Sequence, residues 1–144
     1  MKFNGSHTFK VSSRTVFNSV LDPTILQACI PNCTSVTYLD ANNLNIDLTT
    51  PLPGLKGPYS IVIQIIQLQD PDTIVLGIDR QGTGGSIKGT CHIGISDEPT
   101  GSILTYNAVG QLEGPIAIVS NPLGEGIAKN LLKSFFKKLD AKLV

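Results

Sequence analysis

Three cysteines and two histidines are the side chains that could bind a metal ion or a redox partner. Cys29 and Cys33 stand together in the stretch DPTILQACIPNC, and could supply two of the roughly four ligands that structural zinc requires. Cys91 and His7 could supply the rest, but the spacing matches no known zinc pattern. A redox pair prefers Cys-x-x-Cys over the spacing found here. We therefore interpret the cysteines as small buried side chains and predict no metal site.

His7 could act as a general base if it were buried beside a reacting group. It shares the parity of Phe3 and Phe9, so it should face the interior. No Asp or Glu forms a recognisable motif with it, which favours a histidine in the core or in a cavity wall over a catalytic one. His92 has the opposite parity from Cys91 and should face solvent.

Three polar side chains are better candidates for orienting a ligand on an apolar wall. They are Tyr59, Tyr106 and Arg80, two phenols and a guanidinium. Arg80 faces inward if its strand keeps the phase set by the alternating aliphatic residues before it. A slip of one residue would place Asp79 there instead.

The N-terminal part of the chain predicts one strand and two short helices. Residues 3–11 alternate apolar and polar, which is typical of a half-buried strand. A serine can cap a helix over residues 14–21, and Asp22 can cap a second helix that begins at a proline. Pro31 should end this second helix near Cys29.

The remainder of the chain predicts six strands and one long helix. The expected strands cover residues 35–39, 44–49, 59–69, 73–81, 86–96 and 102–112, with a bulge near 65–66. Residues 123–143 carry an apolar stripe at helical spacing, and their lysines should form its solvated face rather than a membrane or partner contact. The glycines at 82–85 lack the signature of a phosphate loop and predict a hairpin turn. We expect one antiparallel sheet covered by the last helix.

The amino-acid composition and charge exclude several classes of protein function. The 144 residues are 41% hydrophobic and carry a formal net charge of zero, which fits one domain and argues against nucleic-acid binding. No apolar run approaches the roughly 20 residues of a membrane span. The first residues lack the apolar segment of a signal peptide, and an odd number of cysteines argues against a disulfide framework.

Four motifs, in order, resemble the family of the carbon monoxide dehydrogenase G subunit. They are DPxxLxxCIPxC at residues 22–33, GLKGPY at 54–59, GTGGSIKG at 82–89 and AKNLLKSFFKKL at 128–139. Each motif alone is weak, but together they cover nearly the whole chain. The family is part of the START-like (SRPBCC) superfamily, which includes polyketide cyclases and lipid-transfer domains.

The resemblance implies an α+β helix-grip fold over residues 1–144, with seven antiparallel strands curved around the long C-terminal helix. It also implies a cavity that holds an apolar ligand such as a quinone or lipid, and a role beside a molybdenum-containing carbon monoxide dehydrogenase, in recruitment or assembly. Many relatives continue into an apolar segment, so a sequence ending at Val144 is not expected to anchor itself in a membrane. We expect a cytoplasmic protein, with a peripheral position at the inner membrane face as the alternative.

We thus expect a non-catalytic binding domain without a tightly bound cofactor. Its ligand would enter through the loops PLPGLKG and GTGG and the corner CIPNC. The alternatives are an assembly module without a ligand and, less favoured, a small enzyme that uses His7. The residues predicted to line the cavity are His7, Leu26, Ile30, Leu48, Tyr59, Ile61, Leu76, Ile78, Arg80, Cys91, Tyr106, Ala128, Leu132 and Phe135.

Overall fold

A computed structural model describes residues 2–49, 59–82, 85–114, 117 and 122–143, and for residues 59, 81, 82 and 122–124 only the backbone. The strands are β1 (Lys2–Phe9), β2 (Cys33–Asp40), β3 (Asn43–Leu48), β4 (Tyr59–Gln69), β5 (Thr73–Gly82), β6 (Gly85–Glu98) and β7 (Gly101–Glu113). The helices are α1 (Ser13–Ser19), α2 (Pro23–Cys29) and α3 (Pro122–Leu143). This order of elements confirms the predicted one.

The strands form one seven-stranded sheet in the order β1-β7-β6-β5-β4-β3-β2. Every neighbouring pair is antiparallel. The sheet curves around α3, while α1 and α2 connect its two edge strands. This is the helix-grip architecture that the family resemblance implies.

The two short helices begin at the predicted caps. The Ser12 hydroxyl accepts a hydrogen bond from the backbone N–H of Thr15, and the Asp22 carboxylate accepts from those of Thr24 and Ile25. These side chains satisfy N–H groups that a helix start leaves without a partner. The first helix ends at Ser19 rather than at residue 21, because the N–H groups of Leu21 and Asp22 bond three residues back, to Asn18 and Ser19, instead of four.

A bulge in β4 lies where the sequence predicts it. Ile65 pairs with Leu76 but Gln67 pairs with Val75, so Ile66 is the extra residue. The Ile66 side chain is 53% exposed and reaches over Gly77, where a Cβ atom would lie 2.7 Å from its Cδ1. Ile66 thus stays on the outer face with Val62 and Gln64, and the bulge returns Leu68 to the inward parity of its partner Ile74.

Two clusters of buried side chains hold the sheet and helices together. The larger one joins α1, α2 and α3 to the sheet, and the smaller one lies under β2, β3 and β4. Members of the larger cluster are Phe9, Val16, Phe17, Cys29, Ile74, Ile95, Leu104, Phe136 and Leu139. Members of the smaller cluster are Val36, Leu44 and Ile65.

Candidate ligand cavity

An apolar cavity of about 420 Å³ lies between the inner face of the sheet and α3. One row of paired residues crosses four strands beneath it: Leu76, Cys91, Ala108 and Phe3. Cys91 and Ala108, in the middle of this row, are small, and Ala128 faces the same space from α3. The cavity exists because short side chains stand on both of its walls.

Tyr106 lines this mostly apolar cavity and carries a hydroxyl group. It pairs with Gly5 in β1, and a Cβ atom on Gly5 would lie 2.7 Å from the Tyr106 Oη. Glycine at this position therefore makes room for the phenol ring. The ring also stacks on Phe136, with 5.5 Å between the ring centroids. These contacts fix the direction in which the hydroxyl points.

The Cys91 thiol is the other polar group on the wall. Desolvation by burial raises the pKa of Cys91, an effect that a backbone hydrogen bond from Asn107 only partly offsets. A thiol with a raised pKa stays protonated near neutral pH and is a poor nucleophile. The Cys91 thiol is therefore not activated as a nucleophile in the described cavity wall.

Among known protein families, the model for the G subunit of carbon monoxide dehydrogenase (CoxG) matches residues 5–144 of this sequence. The chain belongs to the CoxG family. No curated protein matches the sequence.

Solved structures confirm the fold of this family member. A conserved protein from Geobacillus kaustophilus superposes with a TM-score of 0.89 at 26% identity, covering 99% of this chain and 95% of that one. A START superfamily protein from Mycobacterium smegmatis gives 0.76 at 16% identity, covering 99% and 96%. A protein from Chromobacterium violaceum gives 0.73 at 17% identity, covering 99% and 96%. The chain therefore shares the fold of that START superfamily protein.

The structure brings half of the fourteen predicted site residues together around the cavity of this CoxG family member. These residues are Leu26, Leu76, Cys91, Tyr106, Ala128, Leu132 and Phe135. That they bind a ligand remains a prediction.

His7 is placed beside the cavity rather than in its wall. Its Nε2 atom lies 2.9 Å from the Asp140 carboxylate, a partner that comes from α3 and has no sequence motif in common with His7. The imidazole also stacks on Phe136, with 5.2 Å between the ring centroids. The ring is thus used to join β1 to the C-terminal part of α3.

The other predicted site residues that the structure describes do not line the cavity. Ile30 packs against the smaller buried cluster, and Ile61 and Leu48 lie on β4 and β3 toward the β2 edge of the sheet. Ile78 lines a smaller apolar space of about 160 Å³ that shares Leu76, Cys91 and Ala108 with the cavity, and Arg80 Nε donates to the backbone oxygen of Ser60. The Tyr59 side chain, the PLPGLKG loop and the middle of the GTGG loop lie outside the described residues. The strand residues Leu48, Ile61, Ile78 and Arg80 have the inward parity, but the cavity occupies only part of the inner face.

The sequence interpretation missed six residues that line the cavity. They are Phe3, Val20, Ile93, Leu104, Ala108 and Phe136. Strand parity places Phe3, Ile93 and Ala108 on the inner face, so the alternation of apolar and polar residues could have identified them as inward-facing. Their nearness to α3 depends on the register between strands, which alternation does not show.

The other two cysteines are separate structural features. Cys29 is fully buried in the larger cluster, and the Cys33 Sγ donates to the Ser35 carbonyl oxygen at 3.4 Å. Burial raises the pKa of both thiols. Within the described ranges, no group of three or more His, Cys, Asp or Glu side chains could hold a metal ion.

A groove of about 880 Å³ marks the outer face of the sheet. Val62, Ile66 and Val109 border it and are 41%, 53% and 42% exposed. Lys2 and Lys88 line the same groove. His92 is also exposed, as its parity predicts. No helix in the described part of the chain is long and apolar enough to cross a membrane.

Proposed function

We propose that this CoxG family member is a non-catalytic accessory protein that binds a small hydrophobic molecule, quinone-like or lipid-like, between its sheet and α3. The observation that carries this proposal is the apolar cavity of about 420 Å³. Ligand pockets in proteins commonly measure about 300–1,000 Å³ and have mostly apolar walls with a few polar groups. The cavity has both properties.

Burial of apolar surface supplies the driving force for such binding. Each Å² of apolar ligand surface removed from water contributes roughly 25 cal/mol. The Tyr106 hydroxyl, held between Gly5 and Phe136, is positioned to hydrogen-bond a polar group of the ligand. A quinone oxygen or a lipid head group could accept this bond.

The position of His7 supports a binding role over catalysis. Its imidazole is engaged by Asp140, Phe9 and Phe136 and does not border the described cavity. A general base must come within hydrogen-bonding reach of the proton that it removes. A His7-dependent enzyme therefore has little support from this geometry.

The family name links this protein to carbon monoxide dehydrogenase. We propose that the protein acts beside a molybdenum-type enzyme of that kind, in its recruitment or assembly, and that it resides in the cytoplasm or peripherally at the inner face of the membrane. Its ligand would travel with it in the cavity.

The test is extraction of the purified protein with organic solvent followed by mass spectrometry, alongside a native mass spectrum. A stoichiometric apolar molecule is expected, and its mass would identify the ligand class. Added quinones or lipids should also raise the melting temperature, because a ligand that binds only the folded state stabilises it. Absence of both effects would contradict the binding proposal.

An assembly module without a ligand is the second candidate, and the groove on the outer face favours it. Exposed apolar side chains around a groove are a common feature of contact surfaces. The polar variants Val62→Gln and Ile66→Gln should then weaken association with the dehydrogenase in a pull-down assay. They should leave binding of quinones or lipids unchanged, which separates the two candidates.

A further inference from the structure

We propose that the ligand is an amphipathic anion, with its apolar body in the cavity and a carboxylate or phosphate group at a lysine-lined mouth. This inference rests on the proposed function and specifies the chemical class of its ligand. It depends on a second depression, which lies at the N-terminal end of α3.

This second depression, of about 650 Å³, adjoins the apolar cavity. Phe3, Tyr106 and Leu132 line both spaces. Phe3 and Tyr106 come from the sheet and Leu132 comes from α3, so both the sheet and the helix contribute to the shared wall. A single elongated molecule could occupy the two spaces together.

The second depression has a positive lining, whereas the cavity is apolar. Lys129 and Lys133 from α3 contribute cations, and Lys2, at the start of the edge strand β1, lines both this depression and the groove on the outer face. Glu125 is the one carboxylate among the described lining residues, and it lies 3.5 Å from Lys129. In the part of the chain that the structure describes, neither Lys2 nor Lys133 has an ion-pair partner. These two ammonium groups remain available to a ligand.

The two spaces suit the two ends of such a ligand: the cavity suits its apolar body and the lysine-lined mouth suits its anionic group. An alkyl or isoprenoid body gains free energy by leaving water for the apolar cavity. A carboxylate or phosphate gains charge-assisted hydrogen bonds from lysines, and the Tyr106 hydroxyl at the junction can donate another. A ligand with a neutral head would leave the two lysines unused.

The test compares ligands that share one chain but differ in their head groups. Dodecanoate, dodecyl phosphate and dodecanol are titrated calorimetrically below their micellar concentrations, with a decyl-substituted benzoquinone as a neutral quinone. Dodecanoate or dodecyl phosphate should bind about tenfold more tightly than dodecanol at low salt, a difference of ~1.4 kcal/mol. The advantage should shrink as salt rises, because the mouth is open to solvent. The tighter of the two anions identifies the head group.

A pair of double variants tests the lysines themselves. Lys2→Gln with Lys133→Gln should remove the anion advantage and leave dodecanol binding unchanged. Lys10→Gln with Lys137→Gln makes the same charge change at exposed positions away from the mouth and should leave all affinities unchanged.

The possible outcomes are distinguishable. Equal affinity for anions and dodecanol, or an anion advantage that survives the loss of Lys2 and Lys133, would overturn this inference while leaving the binding function intact. If no probe binds, the quinone included, then the proposed function fails together with this inference. The inference is supported if the anions bind more tightly than dodecanol and if this advantage disappears when Lys2 and Lys133 are both replaced.

Discussion

The two halves of α3 carry the same apolar stripe but meet different surroundings. In the C-terminal half, Leu139 is fully buried in the larger cluster, and Phe136 belongs to the same cluster but also lines the cavity, at the boundary of the two regions. In the N-terminal half, Ala128 and Leu132 are half-buried and border the cavity. One amphipathic helix thus closes a packed core at one end and leaves a space at the other.

The sheet, and not the helix, accounts for this difference. Large side chains such as Phe9 and Ile95 share the buried cluster with Leu139. Small side chains at Cys91 and Ala108 lie under the cavity. Since tightly packed interiors contain few voids, a cavity of this size in the open half is what the proposed binding function requires.

The largest expected effect comes from shortening the packed half. Leu139→Ala removes a fully buried side chain and should lower the free energy of unfolding by about 2–5 kcal/mol. The matched variant Leu132→Ala, at a half-buried position beside the cavity, should lose less than half as much. Urea denaturation measures both, and equal losses would contradict the contrast between the two halves.

Filling the open half should impair binding rather than stability. Ala128→Leu places a larger side chain in the cavity at little cost in helix propensity. Ligand affinity should fall at least about tenfold, ~1.4 kcal/mol, as measured by calorimetry. Stability should change by less than about 1.5 kcal/mol, because the added methylenes enter empty space.

Ala141→Leu is the control for that experiment, since it makes the same change at an exposed position of α3. It should leave affinity unaltered. Large destabilisation by Ala128→Leu would show instead that the space is not available to a side chain, and by extension not to a ligand.

Chemical labelling of the cysteines tests the same difference between the packed core and the cavity. Burial raises the pKa of Cys29 in the packed core and of Cys91 in the cavity wall, so both should react slowly with iodoacetamide at pH 7 and faster only as the pH rises above the usual thiol range. A bound ligand should slow labelling of Cys91 several-fold and leave Cys29 unchanged. Peptide mass spectrometry measures both rates. Protection of neither thiol, or of Cys29 alone, would contradict the assigned location of the cavity.

Much of the fold could be predicted from the sequence because its signals are local. Alternation defines the strands, and Asp22 with Pro23 defines the start of α2. The bulge at Ile66 follows from a change of parity within a single strand. These features depend on neighbours in the chain, which a sequence displays directly.

The cavity was predicted less completely because it depends on register. Inward parity selected His7, Ile61 and Arg80 as readily as Cys91 and Tyr106. Only the pairing of Leu76, Cys91, Ala108 and Phe3 in one row shows which inward positions lie opposite the N-terminal half of α3. The link between His7 and Asp140 spans 133 positions and has no local signal.

The smallest expected effect concerns that link, which ties β1 to the packed half of α3. Both side chains are partly exposed, 28% for His7 and 38% for Asp140, so the pair should contribute only about 0.2–1 kcal/mol. A double-mutant cycle with His7→Ala and Asp140→Ala isolates this coupling from the stacking of His7 on Phe136. The more exposed pair of Arg14 and Asp70 should give a smaller coupling energy in the same assay. Ligand affinity should stay unchanged in His7→Ala, because the imidazole does not border the cavity, and a large loss of affinity would place His7 in the site after all.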